Sequence, residues 1–153
     1  MRTLAYIALS LPIILLVSSC DIRARSRVDE FLGIYHRECT YITKDVKPRA
    51  LFSKSTITIE RAKPHGIWIP APGCGDGSAD FFLQSAGNNA YKLIRNSSSF
   101  NQPVESLLTY TEEAGFTFQS DIQKISIKRD PNGDHTWSFV TNSSHLIINF
   151  RKK

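Results

Sequence analysis

Three thiols, four imidazoles and one glycine-rich loop are the groups in this chain that could do chemistry. Two of the thiols, Cys39 and Cys74, are isolated cysteines with no second cluster nearby. That spacing does not suit zinc, and no metal site is expected. The loop Ala71–Asp80, "APGCGDGSAD", sets Gly73, Gly75 and Gly77 around Asp76 and Asp80. Its glycines permit positive φ, and its carboxylates are hard oxygen donors of the kind calcium takes. Two carboxylates fall short of the roughly six to eight oxygens calcium needs, so a wide structural turn is the competing reading. His36, His65, His135 and His145 are not at metal-ligand spacing, and none precedes a glutamate in a zinc-hydrolase pattern. His65 and His135 follow turn residues and are expected at the surface; His36 sits on a strand and is expected to face solvent. No serine lies in a Gly-x-Ser-x-Gly elbow. Glu112 and Glu113 are adjacent, which on a strand sends the two carboxylates to opposite faces and makes a poor acid–base couple. The pattern reads as no enzyme, with no cofactor.

The third thiol has a different setting. Residues 4–17 form an apolar run of 14 broken by Ser10 and Pro12, behind Met1 and Arg2. A bilayer span needs about 20 apolar residues, so this run suits a signal-peptide core instead. It ends in Val17-Ser18-Ser19-Cys20, which resembles the bacterial lipobox. The resemblance implies cleavage after Ser19, a thioether lipid on Cys20 and an acylated amino terminus. Two or more acyl chains hold a protein on a membrane where one does not, because each buried methylene contributes about 0.8 kcal/mol. Residues 1–19 are then the signal peptide, 20–27 the lipidated cysteine and tether, and 28–153 a single β-rich domain. The expected address is a bacterial membrane, with the domain on the periplasmic or external side. Asp21, next to the anchor, resembles the inner-membrane retention signal of enteric bacteria.

With Cys20 occupied, Cys39 and Cys74 remain as an even pair in an exported, oxidising compartment. A bridge between them would close a loop of about 36 residues, for which chain entropy gives roughly 4 kcal/mol. Two buried free thiols are the other reading. Beyond residue 19 the chain keeps all 14 acids and loses only Arg2 of its 19 basic residues, leaving a net charge of +4. That charge is too small and too scattered to point to nucleic acid. It fits anionic headgroups, an acidic protein or a polyanionic glycan. Arg23, Arg25 and Arg27 either lie along headgroups or belong to a solvated linker.

The elements that must position these groups are mostly strands. Ser26 followed by Asp29 and Glu30 forms a helix start, and Gly33 stops it, giving one or two turns. Period-two alternation then marks Thr56–Glu60, Gly66–Pro70, Phe116–Gln119, Lys124–Lys128, Thr136–Val140 and His145–Phe150. "DFFLQS" and "YKLIR" flank the turn at Ala86–Ala90, and Asn132-Gly133 predicts a two-residue hairpin turn before the Trp137 strand. The expectation is an all-β antiparallel meander of eight or nine strands, closed as a small barrel or folded as a sandwich.

"FLGIYHREC", Phe31 to Cys39, leads a short helix through Gly33-x-Tyr35 into the first strand. It resembles the opening of lipocalin-type barrels, with tyrosine where that family usually has tryptophan. The resemblance implies a hollow barrel carrying a small hydrophobic ligand, and gives Arg151 the part of a late arginine packed over the opening motif. The aromatic residues supply the rival reading. Trp68 points opposite Ile67 and Ile69, Phe81-Phe82 must split between two faces, and Tyr91 sits in mixed surroundings. Exposed tryptophan and tyrosine dominate binding hot spots. Trp68, Phe82 and Tyr91 are therefore the candidate contacts of a membrane-anchored binding protein for an envelope protein or glycan.

Overall fold

The computed structural model describes residues 27–43, 55–62, 65–70, 79–97 and 103–153. Residues 1–26, with the expected signal peptide, Cys20 and most of the expected tether, lie outside the described residues, as do Cys74 and Asp76.

Ten strands follow one another: β1 (Gly33–Thr43), β2 (Ser55–Ala62), β3 (Gly66–Ile69), β4 (Ala79–Gly87), β5 (Ala90–Ser97), β6 (Val104–Thr111), β7 (Gly115–Gln119), β8 (Gln123–Arg129), β9 (His135–Thr141) and β10 (Ser144–Lys152). Each pairs antiparallel with its sequence neighbours. β1 closes the ring on β10, in register from Tyr35↔Lys152 to Thr43↔Ser144. The all-β antiparallel meander is therefore a closed barrel and not a sandwich. It has ten strands where eight or nine were expected.

Strand β6 accounts for the difference. In "VESLLTYT" the inward residues are Val104, Ser106, Leu108 and Tyr110, while Leu107 points out and is 60% exposed. A serine inside and a leucine outside blur the period-two signal. Elsewhere the alternation holds. Tyr35, Arg37 and Cys39 are buried while Ile34 and His36 are exposed. Burial pushes the Arg37 guanidinium below its ordinary pKa, because the charged form loses hydration.

The turns show how the ring closes. Asn88 and Asn89 both take positive φ, 47° and 58°, the mirror-image backbone that matches strand twist in a two-residue hairpin. The predicted turn at Asn132-Gly133 is longer than expected. β8 stops at Arg129 and β9 starts at His135; Gly133 N–H donates to Asp130 O (3.0 Å) and Asp130 N–H to Asp134 O (2.8 Å). Pro131 thus holds the second position of a four-residue turn, and only Gly133, at φ 91°, is left-handed. At Gly115, φ is 72° and a Cβ would stand 2.4 Å from Ile127 O, so only glycine lets β7 lie this close to β8.

A single helical turn precedes the barrel, closed by Phe31 N–H to Val28 O (3.2 Å) and Leu32 N–H to Asp29 O (3.1 Å). It inserts Val28 and Phe31 into one end of the barrel as a plug, both buried. Arg27 belongs to this turn and not to the tether. It pairs with Glu112 at 2.6 Å and stacks 4.0 Å over the Tyr110 ring. Asp29 pairs with Arg61 at 2.8 Å and Glu30 with Arg129 at 3.6 Å, so the plug is ringed by ion pairs to two strands and to the β6–β7 turn. This end carries the short connections 63–65, 88–89, 112–114 and 130–134. The three longest connections, 44–54, 70–78 and 98–103, all leave from the opposite end.

Candidate binding surface

The barrel's inside is a packed aromatic core. Trp137 is central, with ring centroids 5.8 Å from Phe81, 6.0 Å from Phe150 and 6.3 Å from Phe31. Phe81 stacks on Phe139 at 5.3 Å. Each buried aromatic removes about 150–250 Å² from water, so this cluster dominates the fold's stability. A small void between β5, β6, β8 and β9, about 10 Å³, is lined by side chains that include Leu93, Ser106 and Phe139. A void of that size admits at most one water.

Tyr91 belongs to this core and not to a surface. It is fully buried, with its ring 4.6 Å from Phe116 and 6.3 Å from Tyr110. Its odd position on β5 shares the inward parity of Leu93, which overturns its candidacy as an exposed contact. The hydroxyl has no hydrogen-bond partner, and burial pushes its pKa up. Removing a buried, unmatched hydroxyl relieves a desolvation cost. Tyr91→Phe is expected to raise stability by up to about 1 kcal/mol, read as an unchanged or higher denaturation midpoint; a loss of 2 kcal/mol would contradict it.

His135 is also a correction. It was expected at the surface after the turn, but it is the first residue of β9, shares the parity of Trp137 and Phe139, and is 1% exposed. Its Nδ1 accepts from Trp137 Nε1 at 2.9 Å, and its ring stacks on Phe150 at 4.4 Å. Arg151 likewise departs from the part given it by the lipocalin resemblance. It is 73% exposed and, among the described residues, its ion-pair partner is Glu38, at 4.0 Å; Phe150 and His135 are the rings that pack on Tyr35.

Trp68 and Phe82 lie where the alternation placed them, on the outer face. Register makes them direct cross-strand neighbours and adds Ile94, in the row Glu60–Trp68–Phe82–Ile94–Glu105. All three apolar members are half-buried. The next row brings Gln84, Lys92 and exposed Leu107 beside them, with Lys92 paired to Glu105 at 3.0 Å. A half-wet row of Trp, Phe and Ile ending in carboxylates is suited to recognition, because neighbouring side chains already order the aromatic rings. Sequence reasoning missed Ile94 and Leu107: parity gives a face, but only register shows which outward residues meet.

The polar clusters are poorer candidates. Ser138 Oγ and His145 Nε2 are 2.8 Å apart on the outer wall, a nucleophile–base distance. Among the described residues no carboxylate bonds His145 to orient it, as activation of a serine would require. A cleft of about 420 Å³ lies between the plug and the β6–β7 and β8–β9 turns, over Phe31, Phe116 and Ile127. Arg27 and Glu112 on its rim satisfy each other: their hydrogen bond raises the arginine pKa and, with the bond from Tyr110 (3.0 Å), lowers that of Glu112. The described residues contain no group of three His, Cys, Asp or Glu side chains placed to hold a metal ion. No helix among them is long and apolar enough to cross a membrane. Compared with known families, curated proteins and solved structures, the chain matches none.

Proposed function

We propose that this protein is a membrane-anchored, non-catalytic binding lipoprotein of the bacterial envelope. Through its β3–β6 outer face it engages a protein or glycan partner, in the manner of an inhibitor or an assembly accessory. The observation that carries the reading is the contiguous outward row of Trp68, Phe82 and Ile94, with Leu107 beside it. The alternative, a lipocalin-like carrier, needs room inside for a hydrophobe, and the described interior is filled by its own aromatic rings.

The anchor at Cys20 and the bridge from Cys39 to Cys74 complete the proposal. Cys39 is buried in the barrel and lies on the half of β1 nearer the long connections. Cys74 belongs to one of those connections, 70–78, which supports it as the partner. Mass spectrometry of the mature amino terminus tests the anchor; an unmodified Cys20 refutes it.

A photo-crosslinking residue at Leu107 in full-length protein, expressed in its own envelope, tests the surface. The expected result is a discrete adduct that Trp68→Ala weakens at least about tenfold without lowering thermal stability, since hot-spot truncations cost about 2 kcal/mol or more. Absence of any Trp68-dependent adduct overturns the reading.

A further inference from the structure

We propose that the plugged end of the barrel is a second membrane contact, resting on anionic lipid headgroups and directing the long-connection end away from the bilayer. This rests on the lipid-anchor reading. Seven residue steps separate Cys20 from Arg27, so whatever path they take, the plug stands within about 25 Å of the lipidated sulfur. The opposite rim is further out by the barrel's height, roughly 20 Å for tilted strands of this length.

The end so placed carries the chemistry a phosphate surface attracts. β8 and β10 finish there, bringing Lys128, Arg129, Arg151, Lys152 and Lys153 to one corner. Lys153 N–H donates to Ile34 O (3.1 Å), which ties the end of the basic run to an exposed apolar side chain. Lys152 and Arg129 converge over the β8–β9 turn: Lys152 Nζ and an Arg129 terminal nitrogen each lie 3.8 Å from the point where a Cβ on Gly133 would stand. Arg129 and Arg151 have acidic neighbours, Glu30 and Glu38, at the long distances of 3.6 and 4.0 Å. No carboxylate pairs with Lys128, Lys152 or Lys153 among the described residues. Each basic side chain near an anionic leaflet contributes about 1 kcal/mol, so three unmatched lysines orient a tethered barrel even though none would bind it alone.

The test uses the full chain and its native lysines. Lipidated protein is reconstituted into vesicles rich in phosphatidylglycerol, floated on a density gradient, and treated with a water-soluble acylating reagent. Modification is read residue by residue by mass spectrometry and compared with protein in neutral detergent. Lys128, Lys152 and Lys153 are expected to react roughly fivefold more slowly on the vesicles, while Lys124, at the far rim, keeps its rate. Salt near 1 M is expected to restore the lysine rates without releasing the protein, because it screens the contact and leaves the acyl chains in place. Failure to float overturns the anchor and this proposal together. Floating protein whose two rims label alike in both settings overturns the membrane contact alone. Protection of Lys124 instead overturns it in favour of the opposite orientation.

Discussion

Replacing Phe31 by alanine lowers the stability of the barrel by about 3–5 kcal/mol, a fall in melting temperature of roughly 10–20 °C for a domain of this size. Phe31 is the side chain that makes the helical turn a plug. Its ring meets Phe116 at 5.7 Å, His135 at 4.9 Å and Trp137 at 6.3 Å, so truncation leaves a cavity bordered by three flat rings that cannot move in to fill it. The ion pairs around the rim cannot substitute. Arg61 is largely in water, and exposed pairs contribute little once screening and side-chain entropy are counted. Asp29→Asn, which breaks the Arg61 pair and spares the ring, should leave the melting temperature nearly unchanged. Urea denaturation of both variants decides the matter: equal losses would mean that the ionic straps, and not the buried ring, hold the end closed.

This division between ring and strap bears on what could be read in the sequence. The alternation of Ile57 and Ile59, of Ile125 and Ile127, and of Leu146, Ile148 and Phe150 reports a wall with one dry face, and those strands are where the pattern puts them. Closure was not legible in the same way. It depends on β1 and β10 meeting over nine paired positions, and their residues lie more than a hundred places apart. The candidate surface was half legible. Trp68 and Phe82 could be sent outward by parity, but their contact is fixed by the β3–β4 register across the 70–78 connection, whose length no local rule sets. Mixed polar surroundings do not send Tyr91 outward, because Asn89 belongs to the turn and Lys92 to the opposite face of β5.

His135 was lost for a related reason. Had β9 been started one residue earlier, His135, Trp137 and Phe139 would have fallen on one inward face. Starting the strand at Thr136 instead leaves the histidine among the connecting residues. The consequence is chemical as well as geometric. With Nδ1 accepting from Trp137, the ring is held neutral, with its proton on Nε2, which has no partner.

Lowering the pH from 7 to 5 is expected to cost the protein about 2 kcal/mol through His135 alone. Burial, with a smaller contribution from the Arg129 charge, pushes its pKa from 6.5 down to about 3. Above pH 6.5 the imidazole is neutral in both the folded and the unfolded chain, and folding takes up or releases no proton there. Between pH 6.5 and about 3 the unfolded chain binds a proton that the folded barrel refuses. Stability then falls with decreasing pH at about 1.4 kcal/mol per unit, toward a total of roughly 3–5 kcal/mol. The range from pH 7 to 5 isolates this effect, because most carboxylates titrate lower. His135→Phe keeps a flat ring against Phe150 and Tyr35 and removes the titration. At pH 7 it costs about 1–2 kcal/mol, since Trp137 Nε1 loses its acceptor. The crossing of the two curves is the signature: the variant is weaker at neutral pH and flatter in acid, so the gap between the proteins closes or reverses by pH 5. Parallel curves from pH 7 to 5 would show that His135 takes its proton in the folded barrel as readily as in water, and that the aromatic core around it is wet.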